Sequence, residues 1–250
     1  MLSNPPVYVA DFPVTETTHV NLVETVKKRM AAAKKTILFF ANTNFIVKCR
    51  PLLSKMLNDE VIIVNDGVGM DIAAKLLYRR KFMSNLNGTD FTPYFFYANA
   101  INPLRVFLLG GKADVLDKAA YYLVHDLKQI VVGSCDGYED IKRPELVQII
   151  NEAKPDVLLV ALGNPRQEQW ILDNYQQLDV KFISGVGALF DFWAGDKPRA
   201  PAWVQELRME WLYRLCIEPR RLIKRYTLDI LIFLTHCFRY RKKPAKAVTL

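Results

Sequence analysis

The chain has 250 residues, 51% of them hydrophobic and 24% charged, which describes a globular protein and excludes a disordered one. The length suits one large α/β domain, or one domain with a substantial appendage. The net charge of +8 is unevenly placed: residues 196–250 carry 13 Lys and Arg against 5 Asp and Glu, while the first 195 residues balance at 21 of each. Such an asymmetry points to an anionic partner for the C-terminal part, whether a membrane surface, a phosphate-bearing substrate or nucleic acid. The four cysteines (Cys49, Cys135, Cys216, Cys237) form no C-x-x-C pair and read as free thiols of a reducing compartment. The three histidines lie too far apart in sequence to suggest a zinc site or a histidine-based triad. Residues 1–10 have neither the basic region nor the apolar core of a signal peptide, so none is expected.

In chain order, Thr17–Ala33 carries apolar residues at helical spacing, and Thr36–Ala41 reads as a central strand that ends in a polar loop, Asn42-Thr43-Asn44. A short helix over Pro51–Leu57 leads to the stretch around which the chain is organised, Val61–Met70. Four β-branched residues, Val61 to Val64, make a short buried strand, and Asn65, Asp66, Gly67 and Gly69 end it. A helix over Met70–Tyr78 follows. In a parallel sheet this loop falls at the carboxyl edge, where open α/β proteins bind ligands. Asp66 is thereby placed to orient or deprotonate a hydroxyl, and Gly67 and Gly69 allow backbone N–H groups to approach a substrate. Capping of a turn or helix is the plainer role for the same aspartate.

Asn85–Asp90 (NLNGTD) is a second polar loop before an aromatic-rich helical stretch from Phe91. Arg105–Leu109 is a strand ending in Gly110-Gly111, with a helix over Ala113–Leu127; this arrangement can seat a phosphate on free backbone amides. Gln129–Gly133 and Asp156–Leu162 are further strands around a helix at Pro144–Ala153. Gly163–Trp170 (GNPRQEQW) is a polar loop entering a helix, and Val180–Ser184 is the last strand before Gly185-Val186-Gly187. The alternation predicts a doubly wound, mainly parallel, Rossmann-like α/β sheet over residues 1–195. After the turn-rich joint Gly195–Pro201, residues 196–250 are predicted to form a basic helical appendage. Tyr226–Phe238 is strongly apolar but too short to span a bilayer and holds Asp229, and Arg239, Arg241, Lys242 and Lys243 follow it. An apolar face with a basic flank suits an interfacial or partner-facing helix.

Gly67-x-Gly69 lacks a third glycine at Ile72, so no dinucleotide fingerprint is present, and no P-loop occurs. There is no Asp-x-Asp triplet to hold a divalent ion on a nucleotide diphosphate. If sugar is transferred, the arginines of the C-terminal part are the groups available to neutralise a leaving diphosphate.

Taken together, NDGVGM around Asp66, LLGGK at Leu108–Lys112, LVALGNPRQEQW at Leu159–Trp170, SGVGALFDFWAGDKPRAP at Ser184–Pro201 and EWLYRLCIEPRRLIKRY at Glu210–Tyr226 resemble the WecG/TagA/CpsF family of bacterial glycosyltransferases. The resemblance spans roughly Val20 to Tyr226. It implies inverting transfer of a hexosyl unit from a UDP-sugar to a sugar already linked to polyprenyl diphosphate. The reaction would take place at the cytoplasmic face of the bacterial inner membrane, with the chain bound peripherally to an anionic surface and with no metal or other cofactor required. Asp66 matches the family's general base. Asn42 and Gln167 match pocket residues, and Arg214, Arg221 and Lys224 or Arg225 match basic residues that close over the pocket and grip the diphosphate. Asn87 and Asp90, with Gly67, Gly69, Gly110 and Gly111, complete the expected substrate-binding set. Many members carry R-x-T-G-x-D where this chain has Asn85 to Asp90, and the wording NLNGTDF looks most like the glucosyl branch of xanthan-type exopolysaccharide synthesis. UDP-glucose is therefore the favoured donor, and UDP-N-acetylmannosamine, as in teichoic acid or enterobacterial common antigen synthesis, the alternative. A noncatalytic membrane or nucleic-acid-binding protein is the reading of another class, although nucleic acid is not expected as a partner, because the C-terminal Trp and Tyr residues sit at packing intervals. The oligomeric state stays open, a homo-oligomer included.

Overall fold

The computed structural model describes residues 5–138, 140–207 and 209–240, with the side chains at 202, 221 and 225 outside the description. The N-terminal strands β1 (Val7–Val9) and β2 (Phe12–Thr15) precede helix α1 (His19–Ala31), which Thr18 caps by accepting from the Asn21 amide. Strand β3 (Thr36–Ala41) leads to α2 (Thr43–Lys48) and α3 (Leu53–Met56), and β4 (Val61–Asn65) leads to α4 (Val68–Tyr78) and α5 (Gly88–Tyr97). Next come β5 (Arg105–Gly110), α6 (Ala113–His125), β6 (Ile130–Cys135), α7 (Leu146–Glu152), β7 (Val157–Ala161), α8 (Arg166–Asn174), β8 (Phe182–Gly185) and α9 (Leu189–Trp193). The C-terminal helices are α10 (Ala202–Glu206), α11 (Glu210–Ile217), α12 (Pro219–Tyr226) and α13 (Leu228–Arg239).

One eight-stranded sheet runs in the order β1-β2-β4-β3-β8-β7-β5-β6, and every neighbouring pair but β1 and β2 is parallel. The doubly wound α/β expectation holds. Side-chain alternation divides the core in two. Ile37, Phe39, Ile63, Phe107 and Leu158 face a layer built from α2, α4, α7, α8 and α13. Leu38, Phe40, Ile62, Val64, Leu108 and Leu159 face α1, α5, α6 and α9. Strands buried on both faces read as the continuous apolar runs seen in the sequence.

Two local readings change. The loop at Asn42–Asn44 is only Asn42, because its Oδ1 accepts from the Phe45 amide at 3.1 Å and α2 starts at once. Likewise Asn87 caps α5 by accepting from the Asp90 amide at 2.9 Å, so helix begins at Gly88 inside the expected NLNGTD loop. The hairpin of β1 and β2 has no counterpart among the expected elements. Its turn residues Ala10 and Asp11 take φ of 49° and 65°, the left-handed conformation usually signalled by Asn-Gly or Asp-Gly.

Helix α13 is not wholly surface-facing. Phe233 is 1% exposed and, with Cys237, enters the core layer beside α2 and α4, while Leu231 is 62% exposed and Phe238 also faces out. The basic residues Arg241, Lys242 and Lys243 lie outside the described residues. No helix among the described residues is long and apolar enough to cross a membrane.

Candidate active site

Because β2 to β8 are parallel, the turns that follow β3, β4, β5, β7 and β8 share the carboxyl edge of the sheet. Ala41 and Asn65 are register partners at the ends of β3 and β4, and the Asp66 amide donates to the Ala41 carbonyl at 2.8 Å. This brings two expected site residues together: Asn42 Nδ2 donates to Asp66 Oδ2 at 3.0 Å. Asn42 thus uses its oxygen to start α2 and its nitrogen to orient the carboxylate, which remains partly exposed.

The Asp66 loop is held from two further directions. Gly67 takes φ of 86°, which only glycine adopts without strain, and its amide donates to Asn85 Oδ1 at 2.7 Å. Asn65 Nδ2 donates to the Ser84 carbonyl at 2.8 Å. Gly69 permits α4 to start against α2, since a Cβ there would lie 2.4 Å from the Thr43 methyl. Asn85 therefore braces the Asp66 turn; its amide type was legible in the sequence, but not its partner.

Asn87 and Asp90 form a separate cluster. Asn87 Nδ2 donates to Asp90 Oδ2 at 2.6 Å, and the Arg199 guanidinium pairs with Asp90 Oδ1. Both polar ends of Asn87 thus act within its own helix cap. His19 stands half-buried against Phe91 and Tyr94; burial lowers its pKa below the ordinary histidine value, and the charge of Asp90 opposes that shift.

Gly110 takes φ of 113°, and a Cβ on it would come 2.5 Å from the Ala161 carbonyl oxygen, so close packing of β5 on β7 accounts for this glycine. The Gly111 carbonyl accepts from the Gly137 amide at 2.9 Å, and Lys112 occupies the N-cap of α6 without a side-chain cap.

Gln167 is buried. Its Oε1 accepts from the amides of Gly163, at 3.2 Å, and Gly187, at 3.0 Å, which ties the turn after β7 to the turn after β8. Its Nε2 donates to Glu168 Oε1 at 2.8 Å, and Asn164 Nδ2 donates to the same oxygen. Burial raises the pKa of Glu168 above the usual carboxylate range, opposed by the bonds from Gln167 and Asn164. The Cys49 thiol, itself pushed far up by burial and then by the Glu168 charge, lies against it. The depth of Glu168 was not foreseen; a charged residue beside a helix start ordinarily reads as solvent-facing.

From the C-terminal part, Arg214 places its guanidinium over the Phe192 ring, 4.9 Å from the centroid, so α11 lies against the helix that follows β8. Arg221 and Arg225 belong to α12, but their side chains lie outside the described residues. A groove of about 450 Å³ between α2 and α8 is lined by Lys48, Leu52, Ile141, Pro165 and Trp170, and Asp66 is not part of it. No group of three or more His, Cys, Asp or Glu among the described residues is placed to hold one metal ion.

A carboxylate held by an amide at the carboxyl edge of a doubly wound sheet stands where open α/β proteins bind their ligands. The sequence model of the Glycosyl transferase WecG/TagA/CpsF family matches residues 7–247, and the chain belongs to that family; it is a glycosyltransferase. Among curated proteins it is similar to the N-acetylglucosaminyldiphosphoundecaprenol N-acetyl-beta-D-mannosaminyltransferase of Staphylococcus aureus strain MRSA252, 28% identical over 234 residues and 92% of each chain. The proteins of the same description from strains NCTC 8325 / PS 47 and MW2 are 28% and 27% identical over the same share. These relatives are named for N-acetylmannosaminyl transfer, the alternative in the sequence reading, and not for glucosyl transfer.

Proposed function

We propose that the chain transfers an N-acetylmannosaminyl unit from a UDP-linked donor to N-acetylglucosamine carried on polyprenyl diphosphate, with inversion, while bound peripherally to a membrane. The observation that carries this reading is the Asn42–Asp66 pair at the sheet edge. Asp66 removes the proton from the acceptor hydroxyl as its oxygen attacks the anomeric carbon from the face opposite the diphosphate. One base suffices for such a displacement, and no covalent intermediate is needed. Asn42 keeps one carboxylate oxygen aimed, so the base does not have to search rotamers when the acceptor arrives. Arg214, Arg221 and Arg225 offset the charge that grows on the leaving diphosphate, a stabilisation that strengthens toward the transition state. Exposed Trp203 of α10, Leu207 just after it and Ile223 of α12, with Arg220 and Lys224 on α12, supply the apolar and basic contacts for an anionic lipid surface.

Transfer of glucose is the second reading, and the amides of Asn85 and Asn87, in place of the family's arginine and threonine, favour it. The deciding experiment is a donor panel. Purified chain is given short prenyl diphosphates bearing N-acetylglucosamine or glucose, with UDP-N-acetylmannosamine, UDP-glucose or UDP-glucuronate, and the mass of the extended lipid is read. Extension of the N-acetylglucosamine lipid by N-acetylmannosamine is the expected result. Extension of the glucose lipid by glucose overturns the donor assignment and keeps the Asp66 chemistry; no extension by any donor overturns the functional reading.

A further inference from the structure

Glu168 is 1% exposed, deeper than the other buried carboxyls Glu16, Asp71 and Asp229. Glu16 is answered by the Arg80 guanidinium, whereas Glu168 has no ion-pair partner among the described residues. Its two oxygens differ sharply. Oε1 accepts from both Asn164 and Gln167, while Oε2 has no hydrogen-bond partner among the described residues. A carboxylate buried without a cation costs more than a buried carboxylic acid, so a proton on Oε2 removes the buried charge, with the Cys49 thiol in hydrogen-bonding contact with the carboxyl. The titratable group beside it is Cys49, just after α2, a thiol that burial keeps protonated; Asn164 and Gln167 carry no charge.

The amides fixed by Oε1 reach three loops. Gln167 Oε1 holds the Gly163 and Gly187 amides after β7 and β8. Asn164 Oδ1 accepts from Asn44 Nδ2 at 3.5 Å, a long contact, and Asn44 stands in the first turn of α2 beside Asn42, the partner of Asp66. A Cβ at Gly185 would lie 2.9 Å from Gln167 Nε2, so the missing side chain of this glycine leaves the space that the amide occupies. We infer that Glu168 is a positioning residue which, in its uncharged form, keeps the turns after β3, β7 and β8 in register around the bound sugar. It touches no reacting atom. The part of this inference that concerns turnover rests on the transferase reading, and the rest does not.

The test compares wild type, Glu168→Gln and Glu168→Ala in the full chain. Glutamine reproduces an uncharged acceptor and a donor, so it should rescue what alanine loses. Amide exchange at Gly163 and Gly187 should quicken by about tenfold in Glu168→Ala and stay protected in Glu168→Gln. Transfer should follow the same split, with kcat falling about tenfold in the alanine variant while the donor KM holds. The pH dependence of stability is an independent readout. Burial holds the folded pKa of Glu168 above its unfolded value, so the proton's contribution to stability is lost as pH rises from about 4.5 through the folded pKa. Glu168→Gln has no such loss, and its melting-temperature advantage should grow over that interval. If Glu168→Gln is as damaged as alanine in exchange and turnover, charge is required and the inference falls. It falls equally if alanine leaves exchange and turnover unchanged, or if the melting difference between wild type and Glu168→Gln is flat with pH. A wild-type chain that extends no lipid would defeat the functional reading, while exchange and melting would still decide this one.

Discussion

The carboxyl-edge turns and the C-terminal helices are held by different physics. At the edge, polar side chains are joined by short directional bonds, as in Asn42 to Asp66, Gly67 to Asn85 and Gln167 to Gly163 and Gly187. In the C-terminal segment large apolar residues stay in solvent, Trp203 at 63% and Leu207 at 62%, while Val204 and Leu222 are buried and Arg214 lies over Phe192, so the segment is fastened at separate points. The Arg199–Asp90 pair fastens the start; α13, through Phe233 and Cys237, fastens the finish. The core therefore fixes the direction of the Asp66 carboxylate, while the C-terminal helices present exposed apolar and basic side chains to solvent.

This contrast can be broken from either side. The largest effect is expected at Asp66: Asp66→Asn should lower kcat by about 10²–10⁴-fold with donor binding held, read by turnover beside a donor titration, and unchanged turnover would remove its role as base. Phe233→Ala should cost about 3–5 kcal/mol in a denaturant melt, because it empties a filled site in the core layer; a loss near zero would make α13 a loose passenger. Asn42→Ala removes a helix cap and the carboxylate's guide together. Its stability loss should be about 1 kcal/mol, with a turnover loss larger than that stability change explains. Smallest of all, Arg199→Ala breaks an exposed pair and should change stability by less than about 1 kcal/mol, while lowering retention on anionic vesicles if the segment's start must be held for docking.

Much of this architecture was legible because buried parallel strands write themselves as apolar runs, and Val61–Val64 and Leu158–Val160 are such runs. Asp66 was legible for the same reason, since a strand followed by a glycine turn and helix leaves few places for the next carboxylate. Other features were hidden for identifiable causes. The turn at Ala10 and Asp11 uses left-handed backbone without the residues that usually mark it. Tyr226–Phe238 is apolar in the same way whether it meets lipid or protein, so the burial of Phe233 could come only from tertiary contact. Glu168 lies one residue past Gln167 in a polar motif, and nothing local distinguishes an enclosed acid from a solvated one.

Gly69 lets the start of α4 approach Thr43 at the start of α2. Two helix starts pressed together without an intervening side chain behave as a rigid gauge, so the separation of Asn42 and Asp66 is set before any sugar enters. A methyl at Gly69 would work as a wedge against Thr43 and tilt one helix start from the other. Salt, which weakens the surface ion pairs of this chain, leaves such a steric gauge untouched.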